Sequence, residues 1–190
     1  MHKILVFNNL SLDGNFADAE GGVGWAKRDN EELTEYVKQS RGDIGTYLFG
    51  RTTYQMFAGF WPTPAGKAVN PYFAKVLNAG HKVVFTKTLK QAEWENTTIE
   101  PNAVASTLAR LKAASSGSCL IFGSGTLVRE LTEHGLIDEY QVVVNPVILG
   151  SGKPLFSPLP AQVELTLLEA KTFKNGTVLL RYKPTQTGVR

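Results

Sequence analysis

Two stretches of this 190-residue chain end an apolar run on glycine and pass at once into small hydroxyl residues: YLFGRTTY (47–54) and LIFGSGTL (120–127). A strand that stops at glycine and opens directly into a helix leaves unpaired N–H groups at the carboxyl edge of its sheet. The helix dipole adds partial positive charge there, so the place suits phosphate. In GSGT, Gly123 and Gly125 let a phosphate approach the backbone, while Ser124 and Thr126 add hydroxyl donors. In the other junction Gly50 is followed by Arg51, whose planar fork can grip a terminal phosphate, and then by Thr52 and Thr53. Two anion sites on one sheet edge match a dinucleotide, with pyrophosphate at one junction and the adenosine phosphate at the other. Each junction taken alone is equally an ordinary glycine turn with a Ser or Thr N-cap. It is the pair, on two strands separated by a third, that points to a nucleotide. GSGTLV puts Val128 where the Rossmann fingerprint needs Gly or Ala, and no acid follows a strand at the ribose-binding distance, so a Rossmann domain is disfavoured.

Other reactive residues are few. Asp13 in SLDG lies just past the first apolar run and is a candidate substrate-facing group; the same residue suits an Asx-turn before Gly14. Asp29, Glu31 and Glu32 read as solvated charges at a helix start. Tyr54, Phe57, Phe60 and Trp61 form an aromatic cluster that is either pocket wall or core, with core favoured for Phe57 and the ligand side for Trp61. His2, His81 and His134 show no ligand spacing, so neither a metal site nor a Ser-His-Asp hydrolase is expected. Cys119 alone excludes an internal disulfide framework, reads as a buried inert thiol, and fits a reducing compartment.

Periodicity supplies the elements that must hold these residues. Strands are expected at 3–8, 46–50, 82–86, 118–123, 138–149, 163–173 and 176–184, and helices at 28–41, 52–57, 72–78, 103–115 and 125–135. Asp29 or Asn30 is a plausible N-cap, Val104, Leu108 and Leu111 share one helix face, and Gly135 is a C-cap. Residues 11–25 read as a long mobile loop, 60–71 as a proline-punctuated loop, and KNG (174–176) as a hairpin turn. Alternating strands and helices followed by a final antiparallel group predict an α/β fold around a mostly parallel sheet.

A net charge of +3 with scattered Lys and Arg argues against nucleic acid as a partner. No run approaches the roughly 18 apolar residues of a membrane span, and Asn8, Asn9 and Asp13 stand where a signal peptide would be cleaved; a cytoplasmic protein is expected.

The segments SLDG (11–14), LFGRTTYQMFAGFWP (48–62), VVFTK (83–87), FGSGTLVREL (122–131) and GLIDEYQVVVNPVILGSGKPLF (135–156), with the closing hairpin, together resemble the dihydrofolate reductase-like family. They are most similar to the reductase domain of riboflavin biosynthesis, the RibD C-terminal domain, and its free-standing bacterial relatives. The resemblance covers almost the whole chain in order. It implies one domain over 1–184 with a tail at 185–190, of three-layer α/β/α architecture with a C-terminal antiparallel hairpin. It also implies an NADPH-dependent reductase acting as a homodimer on a small-molecule substrate.

Carried over by position, Arg51 and Thr53 match the family's 2′-phosphate motif, Thr86 and Lys87 the strand end beside the adenosine, and Gly123, Ser124, Gly125 and Thr126 the pyrophosphate turn. Asn8 matches the edge of the nicotinamide pocket, which the 14–28 loop closes like a lid. The riboflavin reductases carry a glutamate where this chain has Phe122, and TYQMFAGFWP replaces their polar segment; the substrate pocket becomes apolar, with Tyr54, Phe57, Trp61 and Phe122 as its walls. Folate reductases need a carboxylate five residues after a tryptophan, where this chain has Asn30 after Trp25. The expected activity is therefore hydride transfer to a heteroaromatic or carbonyl compound. The alternatives are the riboflavin-pathway reduction of 5-amino-6-(5-phosphoribosylamino)uracil, and a non-catalytic NADP-binding regulator.

Overall fold

The computed structural model describes residues 2–26, 31–40, 44–102 and 105–185. In chain order the elements are β1 (Ile4–Leu10), β2 (Asn15–Ala17), α1 (Glu31–Ser40), β3 (Ile44–Gly50), α2 (Arg51–Ala58), α3 (Pro64–Val69), α4 (Pro71–Ala79), β4 (His81–Phe85), β5 (Thr97–Glu100), α5 (Ala105–Ala114), β6 (Ser118–Phe122), α6 (Gly125–Glu133), β7 (Glu139–Val144), β8 (Lys153–Pro154), β9 (Leu165–Thr172) and β10 (Val178–Pro184). Eight strands form one sheet in the order β5-β4-β3-β6-β1-β7-β10-β9. The first six run parallel, and β10 pairs antiparallel with both β7 and β9, as the hairpin reading requires.

The central strands are apolar on both faces because both are covered. Ile4, Val6, Leu48 and Ile121 pack with Leu108 and Leu111 of α5 and Leu127, Val128 and Leu131 of α6. On the other face Leu5, Phe7, Phe49 and Phe122 meet Leu33 and Val37 of α1, Tyr54 of α2 and Leu77 of α4. The result is the expected three-layer α/β/α arrangement.

Several segments differ from the sequence reading. The 11–25 stretch is not all loop: β2 pairs antiparallel with β8, forming a ribbon apart from the main sheet. The 60–71 stretch contains α3, because Pro64 occupies the first helical turn, where a missing N–H costs nothing, and the Thr63 hydroxyl accepts from the Gly66 N–H at 3.2 Å. β5 is short and carries two threonines and a glutamate, too polar to stand out. The run 138–149 stops pairing at Val144, before Asn145-Pro146, since proline has no N–H for the ladder. Gly135 adopts φ +63° just past the last turn of α6, and Leu136 N donates to Leu131 O at 2.9 Å, a Schellman closure. The proposed caps Asp29 and Asn30, the far end of the 14–28 loop and the face residue Val104 lie outside the described residues.

Lys82 is fully buried, and its Nζ donates to the carbonyls of Leu77 (2.8 Å), Asn78 (3.2 Å) and Gly80 (2.6 Å), closing the C-terminus of α4. Its ammonium also lies 4.6 Å from the centre of the Trp94 ring. Burial pulls its pKa down to about 8, with Glu95 drawing it back up. Because the folded value lies below the unfolded one, the unfolded chain holds more protons between the two, and stability from this group rises as pH climbs from about 8 through about 10.5. Lys82→Met leaves three carbonyls without their donor. We expect a loss of about 1–3 kcal/mol at pH 7 in urea denaturation, and loss of the alkaline rise in stability.

Candidate functional site

In the sheet, β3 and β6 are direct neighbours, not separated by a third strand; β4 follows β3 in the chain but pairs on its other side. The register Leu48↔Ile121 brings Gly50 level with Gly123. The two junctions are then tied together. Gly50 N donates to Ser124 Oγ at 2.9 Å, and that hydroxyl donates to Phe122 O at 2.8 Å. Ser124 N donates to Thr53 Oγ1 at 2.9 Å, and Asn8 Nδ2 donates to Gly123 O at 3.1 Å. Ser124 sits at φ +56°, rare for a residue with a side chain, and these bonds hold it there. Gly123 has φ +53°, and a Cβ on it would lie 2.9 Å from the Thr53 side chain. The Ser124 hydroxyl proton is therefore spent within the protein, while the Thr53 hydroxyl serves there as an acceptor. Both are buried, and a buried hydroxyl must find its partner inside the protein.

What the tie leaves open is the backbone. No side chain caps the start of α2 or of α6, so the first N–H groups of both helices open at the same sheet edge. A cleft of about 590 Å³ runs over them, and Asn8, Gly50, Arg51, Thr52, Thr53, Gly123, Ser124, Gly125 and Thr126 all line it. So do Phe57, Phe60, Trp61 and Phe122. Phe57 and Phe122 also pack with each other, ring centres 5.8 Å apart, so they are core and wall at once.

Four predicted residues fall elsewhere. Tyr54 is buried behind the cleft, its hydroxyl accepting from Trp94 N at 3.0 Å and its ring against Phe49 and Trp94. Thr86 Oγ1 accepts from Thr88 N (3.2 Å) and Leu89 N (3.1 Å), a local turn ending β4, and Lys87 is exposed beyond it. Asp13 is exposed, and its carboxylate accepts from Leu149 N (3.1 Å) and Gly150 N (2.9 Å). A hydrogen bond from Ser11, followed by that from Leu149 N, lowers its pKa to about 2, the wrong direction for a proton donor. Glu31 is exposed. Glu32 accepts from Lys174 N at 2.9 Å in the hairpin turn, a bond that lowers its pKa.

The sequence reading missed the ribbon's contribution. Phe16 of β2 lies against the start of α6, where a Cβ on Gly125 would meet the ring at 2.5 Å. Ala17 pairs with Lys153 of β8, and both line the cleft. The Lys153 ammonium lies 3.0 Å from where a Cβ on Gly21 would be, and Gly21 has φ +92°. Asn9, Thr34 and Asn70 also face the cleft. Neither Arg51 nor Lys153 forms an ion pair among the described residues. Two unpaired cations and two helix starts make the site attractive to an anion. The described residues hold no group of three potential metal ligands, and no helix among them is long and apolar enough to cross a membrane.

The RibD C-terminal domain model matches residues 2–179. The chain belongs to that family. Among curated relatives it is 25% identical to YyaP of Bacillus subtilis over 181 residues, 95% of this chain and 94% of that one. With YwjB of the same organism it is 29% identical over 177 residues, 93% and 95% of the two chains. A Shewanella sp. PV-4 protein ascribed to riboflavin biosynthesis superposes with a TM-score of 0.75 at 19% identity, over 97% of this chain and 99% of that one. Dihydrofolate reductase from Enterococcus faecalis, complexed with NADP(H), gives 0.65 at 16% identity over 97% of both chains. The fold is thus dihydrofolate reductase-like, and family and fold are those of the RibD-type reductases.

Asp13 is assigned here to holding the 149–150 turn. Its lowered pKa means that its contribution to stability is present above the ordinary value of 3.8 and is lost as pH falls toward about 2. Asp13→Asn is expected to lower the melting temperature at pH 7 and leave nucleotide affinity unchanged, with the gap to wild type closing as the pH drops through that range. A loss of nucleotide or substrate binding would return Asp13 to the pocket.

Proposed function

We propose that the protein is an NADPH-dependent reductase that delivers a hydride to a small heteroaromatic or carbonyl substrate. The observation that carries this reading is the pairing of two uncapped helix starts, α2 and α6, in one cleft with the unpaired cations Arg51 and Lys153. A dinucleotide has phosphates at two places, and the cleft has positive ends at two places. The backbone at Gly125 and Thr126 would take the pyrophosphate, with Lys153 facing it from the ribbon. Arg51 at the start of α2 would take the 2′-phosphate that separates NADPH from NADH. The cofactor, when bound, supplies the hydride.

The riboflavin-pathway reaction is named for a Thermotoga maritima structural neighbour at 18% identity, of which this chain covers 57%. A phosphoribosyl substrate would need a cation on the substrate side, and the wall there is aromatic, so we favour a different substrate. A homodimer fits the outer edge of the sheet, where β9 exposes Leu165, Leu167 and Leu168.

Titrating NADPH and NADH against wild type, Arg51→Ala and Lys153→Met tests the assignment. Wild type should prefer NADPH. Arg51→Ala should shrink that preference by about 10- to 100-fold, the worth of a charge-assisted phosphate contact. Lys153→Met should weaken both nucleotides by one common factor. Wild type that binds neither nucleotide would end the reductase reading.

A further inference from the structure

Side chains along β1 alternate between the two faces of the sheet, and the cleft straddles them. Asn8 turns toward the α6 side, where its amide donates to Gly123 O at 3.1 Å. Asn9 shares the opposite face with Leu5 and Phe7, the face covered by α1, α2 and α4. That side of the cleft is walled by Leu33, Phe57, Trp61, Val69, Phe73 and Phe122. Two of its other polar side chains, Asn70 and Thr34, are bonded to each other. Asn70 Oδ1 accepts from Phe73 N at 3.0 Å and its Nδ2 donates to Thr34 Oγ1 at 3.2 Å. Asn9 differs: Asn145 Nδ2 donates to its Oδ1 at 3.1 Å, which fixes the amide, and its own NH₂ has no partner among the described residues. No ionised side chain stands on this wall among the described residues; Arg51 heads α2 at the sheet edge, and Lys153 is in the ribbon beside α6.

Resting on the reductase reading above, we infer that the substrate is an uncharged, flat, largely apolar ring bearing one hydrogen-bond acceptor, a carbonyl oxygen or ring nitrogen, which the Asn9 NH₂ receives. An apolar aromatic wall favours a planar hydrocarbon surface, and a charged group brought there would be stripped of water without a partner. One fixed donor then orients the ring and draws electron density toward the acceptor. In the reaction the hydride adds to the carbon of a C=C, C=N or C=O bond joined to that acceptor. The π pair would move onto the acceptor or its conjugated neighbour, held by the Asn9 NH₂, and water would supply the proton; bound NADPH would give up the hydride and leave as NADP⁺. The product is the ring with one double bond saturated, or the corresponding alcohol.

The test uses three probes of similar shape, titrated calorimetrically into the protein saturated with NADPH: chromone (neutral, one carbonyl), chromone-2-carboxylate (the same ring, anionic) and naphthalene (neutral, no acceptor). Wild type should bind chromone at least about tenfold more tightly than either of the others. Asn9→Ala should bring chromone down to the level of naphthalene, leave naphthalene unchanged, and keep wild-type NADPH affinity, which shows that the fold survives. Trp61→Ala should weaken chromone and naphthalene alike. The inference is overturned if the carboxylate binds as well as chromone, or if Asn9→Ala weakens both neutral probes equally. Because NADPH affinity is measured first, failure of the cofactor reading is seen separately as wild type that does not bind it.

Discussion

The hydroxyl of Ser124 is the point through which the two halves of the cleft depend on each other. It accepts from the last residue of β3 and donates to the last residue of β6, while its own N–H is taken by Thr53 in the first turn of α2. Two strand ends and two helix starts are thereby fixed by one residue in a left-handed conformation. An alanine at 124 would take away the half-buried Gly50 N–H's acceptor, and would relax the turn that aims the α6 amides. The repeated Gly-hydroxyl junction is thus explained differently from the expectation that prompted it. The hydroxyls hold the junctions to each other, and the backbone they organise opens at the sheet edge.

That division of labour makes the cleft asymmetric. Lys153 and the start of α6 stand on one side of the cleft and Arg51 at the start of α2 on its rim, while the deeper wall against α1 and α4 is mainly apolar and aromatic. The asymmetry follows from β1 itself, since adjacent asparagines on one strand must face opposite ways.

The strands with long apolar runs, the amphipathic helices, and most of the residues around the two glycine junctions that line the cleft were legible because each leaves a local pattern. What was not legible depends on distant pairing. The β2–β8 ribbon joins three residues to two across more than a hundred positions, and neither partner carries enough hydrophobic signal to be read as a strand. Phe16 and Lys153 reach the cleft only through that pairing, so nothing near them in sequence announces their role. Lys82 sat inside an apolar run with no hint that its ammonium would be buried against helix carbonyls. Asp13 and Tyr54 were misplaced for the opposite reason. Their neighbours are chemical motifs, yet a loop amide in one case and Trp94 in the other claims the polar atom.

The aromatic wall of the cleft is also tied to the sheet's exposed edge. Leu33 belongs to α1, and the same helix offers Tyr36, whose hydroxyl hydrogen-bonds Glu169 of β9 and lies 3.4 Å from Arg181 of β10. Arg181 in turn pairs with Glu169 at 3.0 Å and with the buried Glu139 of β7 at 2.8 Å. Glu139 is further satisfied by Gln141 at 2.8 Å, so the buried carboxylate is fully engaged rather than stranded. At the other end of the helix, Glu32 pairs with Lys174 in the hairpin turn. α1 is therefore fastened at two places to the antiparallel hairpin whose outer strand exposes its leucines.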